Sequence, residues 1–159
     1  MNPGNPNFWD KDQWEENAHM WQNRAMAAEA QLEKQTLTYR KLVMPEDLNP
    51  AHRLFGGRLL QWLDEAAALY VMCQLRTQSI VTVKVSEIVF KEPVSSGDFL
   101  EFFASIARTG RSSVDIEIDV QRKAVEKPED RKTVLTCNMT FVQIDPATQK
   151  PTPHRLAKV

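Results

Sequence analysis

The sequence has 159 residues and a formal net charge of −1, and 42% of its residues are hydrophobic. This length predicts one domain with a substantial core and is too short for two. Because there is no basic stripe and no apolar run near the roughly 20 residues that span a bilayer, we expect neither nucleic acid nor membrane among its partners.

The cysteines and histidines lack the spacing of a disulfide framework or a metal site. Cys73 and Cys137 lie in apolar segments without a Cys-x-x-Cys pattern, and His19, His52 and His154 are scattered. We therefore expect buried, reduced thiols, no metal and a cytoplasmic location. The acidic, tryptophan-containing N-terminus also differs from a signal peptide.

The first 35 residues are predicted to be an extension with a helix over residues 10–34, which contain neither Gly nor Pro. Apolar positions recur there with a period of about 3.5: Trp14, Ala18, Trp21, Ala25, Ala28 and Leu32. A helix packed across its own domain and a helix that contacts another subunit both fit this pattern.

The domain proper is predicted over residues 36–152 and begins with a strand, a loop and a long helix. Residues 36–44 have strand composition and stop at Pro45, and a loop continues to Arg53. From Gly57 to about Leu75, apolar residues recur at helical period and surround the helix almost completely after Trp62. This pattern indicates a buried helix.

Four more strands are predicted after the helix, over residues 80–90, 99–107, 114–120 and 134–144. Residues 114–120 alternate strictly between apolar and acidic, as in an antiparallel sheet with one wet face. One long helix and five strands in this order predict an α+β fold, with a curved antiparallel sheet wrapped around the helix. Residues 153–159 are predicted to be a loose tail.

One carboxylate, Asp64, falls on the apolar run of this helix. A buried carboxylate is costly unless it is paired, so Asp64 either has a local partner, such as Arg53 or Arg58, or serves in chemistry. Gly56 and Gly57 precede it at the helix start, where free amides can approach a developing negative charge. The structural alternative for these glycines is a tight turn with close helix packing.

Four stretches of the domain resemble the hotdog-fold acyl-CoA thioesterases, in particular the acyl-CoA hydrolase family of bacterial short-chain enzymes and the duplicated brain-type enzyme. The stretches are Val-Met-Pro-x-x-x-Asn at 43–49, Leu-Phe-Gly-Gly-x-Leu-Leu-x-Trp-Leu-Asp-Glu at 54–65, Phe-x-x-Pro-Val-x-x-Gly-Asp at 90–98 and Gly-Arg-Ser-Ser at 110–113. The resemblance implies a hotdog fold that hydrolyses acyl-CoA thioesters to fatty acid and coenzyme A without a cofactor.

The family's paired functional residues, an asparagine before the helix and an acid two turns into it, fall on Asn49 and Asp64. The resemblance implies that Asp64 is the general base, or alternatively a nucleophile, and that Asn49 donates to the carbonyl oxygen or holds water. An asparagine before Pro50 is also an ordinary turn residue. Where the family usually has a glycine, three residues after the asparagine, this sequence has His52.

The resemblance also makes the turn Gly110, Arg111, Ser112 and Ser113 a candidate for binding the coenzyme A phosphates, although Thr-Gly-Arg is a common hairpin turn as well. Thr82, on the strand after the helix, is a candidate for lining the acyl pocket, and a threonine in a sheet needs no function. Glu65, about 100° around the helix from Asp64, is interpreted as a structural or solvated carboxylate.

Helix geometry favours a site built from two subunits. Gly57 and Asp64 lie about 10 Å apart along the helix, too far to act on one carbonyl. Two helices packed antiparallel about a twofold axis bring the Asn49/Gly57 end of one to Asp64 of the other. Since the hotdog family is built as such dimers, often as trimers of dimers, we expect a homodimer with shared active sites and further assembly of this kind.

Two other functions remain open. A hotdog dehydratase acting on acyl chains requires a histidine placed against an acid, and His52 is the candidate near the site. A sensor that binds acyl-CoA without hydrolysis, or a purely structural hotdog domain, is the third possibility.

Overall fold

The computed structural model describes residues 35–127 and 129–156, so the helix predicted over residues 10–34 lies outside the described part. The described residues form one long helix and five strands: β1 (Thr36–Leu42), α1 (Gly56–Leu75), β2 (Ile80–Val85), β3 (Phe99–Thr109), β4 (Ser113–Lys123) and β5 (Arg131–Gln143). A single 3-10 turn, Pro45–Asp47, lies in the loop before α1. Within this part of the chain, no helix is long and apolar enough to cross a membrane.

The five strands form one antiparallel sheet in the order β1-β3-β4-β5-β2. Each of the four pairings contains a register shift, for example between Thr82 and Lys84 in the pairing of β2 with β5. Shifts of this kind bend and twist a sheet. The sheet and its single long helix confirm the predicted hotdog fold.

The core lies between one side of α1 and the inner face of the sheet. The buried helix residues are Leu59, Trp62, Leu63, Ala66, Ala67, Tyr70 and Val71. Opposite them, Phe102 and Phe141 are among the largest fully buried side chains. The fully buried Ala66 and Ala67 are small, which allows the helix to lie close to the aromatic and branched residues of the sheet.

The opposite side of α1 is exposed in the part of the chain that the structure describes. Leu60 and Leu69 are 39% and 48% exposed, and Cys73 is exposed, whereas Cys137 is buried. We expected the helix to be buried on all sides and Cys73 to be buried with it. Both expectations are wrong for the single chain. The sequence pattern marks this side as apolar, but the chain's own sheet covers only the other side.

Strand β2 ends at Val85, although strand composition continues to residue 90. The amide of Ser86 still donates to the carbonyl of Asn138 at 2.9 Å, but the Asn138 amide donates to the Ser86 hydroxyl, also at 2.9 Å. A side-chain oxygen thus takes the place of a backbone carbonyl, and the chain leaves the ladder there. It returns to β5 only where the Lys91 amide donates to the Val134 carbonyl at 2.8 Å.

Residues 153–156, expected to be loose, are held against the turn between β3 and β4. The His154 amide donates to the Arg111 carbonyl at 3.1 Å. On the imidazole, Nδ1 accepts a hydrogen bond from the Leu156 amide at 3.3 Å, and Nε2 lies 3.0 Å from the Ser113 carbonyl oxygen. Because Nδ1 is an acceptor, Nε2 carries the proton and donates it to Ser113.

Burial raises the pKa of the Cys137 thiol from 9.0 to about 11. An unfolded chain releases this proton at lower pH than the folded chain, so the stability linked to it is complete below about pH 9 and is lost as the pH rises toward 11. We expect the free energy of unfolding in urea to fall more steeply over this range in the wild type than in Cys137→Ala. The exposed Cys73→Ala variant should keep the wild-type slope, and parallel curves for wild type and Cys137→Ala would contradict the burial effect.

Candidate active site

The loop before α1 is organised around the side chain of Asn49. Its Oδ1 accepts hydrogen bonds from the amides of Ala51 at 2.9 Å and Arg53 at 3.1 Å, and its own amide donates to the Arg53 carbonyl at 2.7 Å. The turn role considered for Asn49 is therefore present. Since these bonds use only Oδ1, the Nδ2 donor of the carboxamide remains for another partner.

His52 occupies the one left-handed position of this loop, with φ 57°. Glycine adopts this conformation without strain, which explains why the family usually has glycine there. The His52 amide donates to the Asn49 carbonyl at 2.9 Å, so the reversal of the chain that surrounds Asn49 forms without that glycine.

The loop and the first turn of α1 are joined through Asp47. This buried carboxylate accepts the Met44 amide at 2.9 Å and lies 3.3 Å from Nε of Arg58. The Asp47 carbonyl also accepts the amide of Phe55, the residue that precedes the helix. The start of α1 is thereby fixed relative to Asn49.

Gly56 and Gly57 begin α1, where the first amides have no acceptor within the helix. Neither glycine has a positive φ, so a tight turn does not require them. A Cβ on Gly56 would lie 3.4 Å from Cζ of Phe90, whereas a Cβ on Gly57 would have no neighbour within 4 Å. Close packing within the described residues can therefore explain glycine at position 56 but not at position 57.

Asp64 lies on the uncovered side of α1 and is exposed in the single chain. Its Oδ1 accepts a hydrogen bond from Thr82 Oγ1 at 2.9 Å. The structure thus brings together the predicted base and the residue predicted to line the acyl pocket, and the chain does not bury the carboxylate without a partner. Their contact was not predicted, because nothing in the sequence gives the register of β2 against α1.

The alternative partners considered for Asp64 are engaged elsewhere. Arg58 pairs with Asp47, and Nη1 of Arg53 donates to Ser95 Oγ at 3.0 Å. Glu65 accepts a hydrogen bond from the Gln61 side chain at 3.1 Å, in line with the structural role expected for it. Asp64 is therefore left with one hydroxyl donor and one further carboxylate oxygen.

Asp64 and Thr82 border a largely apolar depression of about 470 Å³. Its other lining residues are Leu60, Leu63, Val85, Ser86, Ile88 and Met139. Gly56 borders a different depression, of about 350 Å³, together with Arg53, Phe90 and Lys91. Within one chain, the helix N-terminus and the Asp64 carboxylate thus face separate spaces.

The bulky residues considered for limiting the pocket divide between core and surface. Trp62 and Tyr70 are buried in the core, and Phe55 is 51% exposed next to the helix start. Only Phe55 therefore stands free at the surface of the single chain.

The turn predicted to bind phosphates joins β3 to β4 at the end of the sheet near the C-terminus of α1. The Gly110 amide donates to the Ser113 carbonyl at 2.8 Å, and a Cβ on Gly110 would overlap Ser113 Oγ. A side chain at position 110 would therefore require the Ser113 hydroxyl to rotate away. The Arg111 side chain is exposed, and the C-terminal residues hold its backbone.

Across residues 35–127 and 129–156, no group of three or more His, Cys, Asp or Glu side chains is arranged to hold a metal ion.

Comparison with known proteins gives the family. The sequence profile of the thioesterase superfamily matches residues 52–129. An uncharacterized acyl-CoA thioester hydrolase of Zymomonas mobilis is 37% identical over 106 residues, which cover 67% of this chain and 70% of that protein.

Solved structures agree with this. The hexameric thioesterase y2039 of Yersinia pestis is 32% identical with a TM-score of 0.71, over 77% of this chain and 97% of that one. An acyl-CoA hydrolase of Staphylococcus aureus, solved with butyryl coenzyme A, coenzyme A and coenzyme A disulfide, is 28% identical with a TM-score of 0.68, over 77% of this chain and 72% of that one. That enzyme has also been solved with an asparagine, an aspartate or a threonine replaced by alanine. The chain is therefore an enzyme of the acyl-CoA thioester hydrolase family, within the hotdog-fold thioesterase superfamily.

Proposed function

We propose that this protein hydrolyses acyl-CoA thioesters to free fatty acid and coenzyme A, with Asp64 as the general base. The observation that carries this proposal is the Asp64 carboxylate, held by Thr82 at the border of an apolar depression. An apolar space suits an acyl chain, and a carboxylate at its border suits activation of water beside the thioester carbonyl.

In the proposed reaction Asp64 takes a proton from a water molecule as the water oxygen attacks the thioester carbon. The carbonyl oxygen becomes an oxyanion, which hydrogen-bond donors stabilise. When the intermediate collapses, the carbon–sulfur bond breaks, the fatty acid forms and coenzyme A leaves as a thiolate. Thiolates are good leaving groups, so the reaction requires no cofactor.

Thr82 orients the base. Its hydroxyl donates to Oδ1 of Asp64, so Oδ2 is the oxygen that accepts the proton from water. A hydrogen bond to a charged group contributes about 1.5–3 kcal/mol. This contact restricts rotation of the carboxylate, which borders the depression.

Asn49 and the amides of Gly56 and Gly57 are the proposed donors to the thioester oxygen or the attacking water. The Asn49 oxygen accepts the Ala51 and Arg53 amides, and no hydrogen bond joins its carboxamide nitrogen to a described residue. Glycine is a poor helix former, and no contact within the described residues explains Gly57. A ligand or a second subunit that approaches its backbone closely would explain why position 57 is glycine.

The spacing of the Staphylococcus aureus substitutions supports these assignments. In that enzyme the substituted asparagine and aspartate are 15 positions apart, the same separation as Asn49 and Asp64. The substituted threonine follows the aspartate by 17 positions there, against 18 from Asp64 to Thr82. The three residue types thus recur in the same order with nearly the same spacing.

A homodimer with shared active sites is the proposed functional unit. Strand β2 is an edge of the sheet, and its Val81, Val83 and Val85 are 39%, 55% and 44% exposed. Apolar edge strands are unfavourable unless another strand pairs with them. A second copy paired with this edge would also cover the open side of α1 and would bring its own helix N-terminus toward Asp64. Assembly into a trimer of dimers accords with the hexameric Yersinia relative.

The turn Gly110–Ser113 is proposed to bind the coenzyme A phosphates. Arg111 is exposed at its tip, and its guanidinium can hold a phosphate through two parallel hydrogen bonds. The Ser112 and Ser113 hydroxyls are additional donors.

Replacement of the base tests the proposal directly. Asp64→Asn should lower kcat for acyl-CoA hydrolysis by about 10²- to 10⁴-fold, because the amide cannot accept the proton from water. Thr82→Val, which removes only the hydroxyl, should lower it by about 10- to 100-fold. Glu65→Gln is the matched control on the same helix and should hydrolyse as the wild type does. Release of coenzyme A thiol measures all three, and near wild-type hydrolysis by Asp64→Asn in a folded oligomer would refute the assignment.

A subunit-mixing experiment tests the shared site. Asp64→Asn and Asn49→Ala chains with different tags, coexpressed and purified through both tags, form mixed dimers in which one of the two sites has both intact residues. We expect thiol release well above that of either parent. If each chain contained a complete site of its own, the mixed dimers would be no more active than the parents.

His52→Gly tests whether the imidazole takes part in thioester hydrolysis. Glycine removes the left-handed strain at this position, so the variant should keep full thiol release and an unchanged or higher Tm. His52→Val should lower the free energy of unfolding by about 1–3 kcal/mol, because a β-branched residue is strained there. Loss of thiol release in a folded His52→Gly variant would contradict this expectation and would give the imidazole a role in the hydrolysis.

A further inference from the structure

Asp47 is a buried carboxylate at the start of the loop that carries Asn49. Only 6% of the residue is exposed, whereas Glu46, its neighbour in the same 3-10 turn, is exposed. A buried carboxylate costs free energy unless it is paired and hydrogen-bonded. The burial of Asp47 therefore requires a reason that a solvated turn residue would not.

Asp47 contacts the chain on both sides of the loop. Its Oδ2 accepts the Met44 amide at 2.9 Å, ahead of the loop, and its carbonyl accepts the Phe55 amide at 3.0 Å, after the loop. Between these two contacts, Leu48 and Leu54 form an isolated antiparallel bridge that closes the loop. The loop and the start of α1 thus share one support.

Arg58 is the counterion of Asp47, and it lies where a cation is unfavourable. It is the third residue of α1, and its Nε lies 3.3 Å from Asp47 Oδ1. The N-terminus of a helix carries roughly half a positive charge, so a cation in the first turn is repelled. The Arg58 side chain is 43% exposed, and ion pairs at the surface contribute little to stability. Helix stability therefore does not explain an arginine at this position.

The charge of Asp47 matters for the amides that begin α1. The Leu59 amide is the one that donates to the Phe55 carbonyl, at 3.1 Å, so the amides of Gly56 and Gly57 have no acceptor within the helix. These two amides are the proposed donors to the thioester oxygen. A negative charge beside them opposes the charge that develops on that oxygen, and a nearby positive charge cancels the opposition.

We infer that Asp47 and Arg58 are positioning residues for the proposed hydrolysis, so the inference rests on the proposed function. Asp47 holds the Asn49 loop against the helix start, and Arg58 neutralises the carboxylate that does so. The pair thereby fixes the amide donors without leaving a net negative charge beside the oxyanion. Neither side chain is assigned a contact with the substrate.

The test is a double-mutant cycle in the full-length protein. Arg58→Gln leaves the Asp47 charge without its counterion. Asp47→Asn removes that charge and keeps an oxygen for the Met44 amide, and the double variant removes both charges. Glu46→Gln, alone and combined with Arg58→Gln, is the matched control, because Glu46 carries the same charge at the neighbouring, exposed position. Thermal unfolding and the oligomer mass verify that each variant is folded and assembled.

We expect Arg58→Gln to lower kcat for acyl-CoA hydrolysis by about tenfold with KM unchanged, because the uncompensated charge acts on the transition state and not on the bound substrate. Asp47→Asn alone should lower kcat less than this, and combined with Arg58→Gln it should return kcat to within about threefold of the wild type. Glu46→Gln should have no effect alone and should leave Arg58→Gln about tenfold low. If both residues served only stability, the losses in the double variant would add.

Wild-type kcat in Arg58→Gln, a double variant with Asp47→Asn no more active than Arg58→Gln, or equal recovery with Glu46→Gln would overturn the inference. If the wild type itself released no thiol, the proposed function would fail and the inference with it. An active wild type without coupling between Asp47 and Arg58 would refute the inference alone.

Discussion

A single helix covered on one side by a five-stranded sheet is the constraint on which the other features depend. The sheet buries one face of α1 and leaves Leu60, Asp64 and Leu69 on the other face uncovered, beside the exposed valines of the edge strand β2. Apolar helix and edge-strand surfaces side by side are unfavourable in water. A second copy would cover both surfaces at once, because they are adjacent on the same side of the molecule. In the proposed homodimer, formation of this interface would therefore also complete the active site.

This constraint changes the energetics of Asp64. In the single chain the carboxylate is exposed and needs only the Thr82 hydroxyl, so the chain folds without the cost of a buried charge. The depressions bordered by Asp64 and by Gly56 are separate in one chain. In the proposed homodimer, the partner that covers Asp64 would also bring the oxyanion donors to it.

The spacing of apolar residues along the sequence predicted the helix and the strands, because that spacing depends only on the geometry of each element. The long helix begins at Gly56 instead of the predicted Gly57, and all five strands occur in the predicted order. Two predictions of burial were wrong, those for Cys73 and for the whole helix surface. The apolar pattern of the helix does not tell which of its sides the chain's own sheet covers. The early end of β2 was also missed, because there the Ser86 hydroxyl replaces a backbone acceptor. Asn49 and Asp64 came from motif resemblance, and the contact of Asp64 with Thr82 required the fold.

The loop around Asn49 shows how one residue can depart from a family pattern while the local geometry persists. The reversal that brings the Ala51 and Arg53 amides to one oxygen requires a left-handed residue between them, and His52 adopts that conformation at a cost of about 1–2 kcal/mol. The two hydrogen bonds to Asn49 Oδ1 contribute about 1 kcal/mol each, which offsets this strain. Replacing Asn49 would therefore disturb the loop as well as remove a donor. The carboxamide stabilises the loop through its oxygen, and under the proposed function its nitrogen would donate to the substrate, so one residue would both shape the loop and act there.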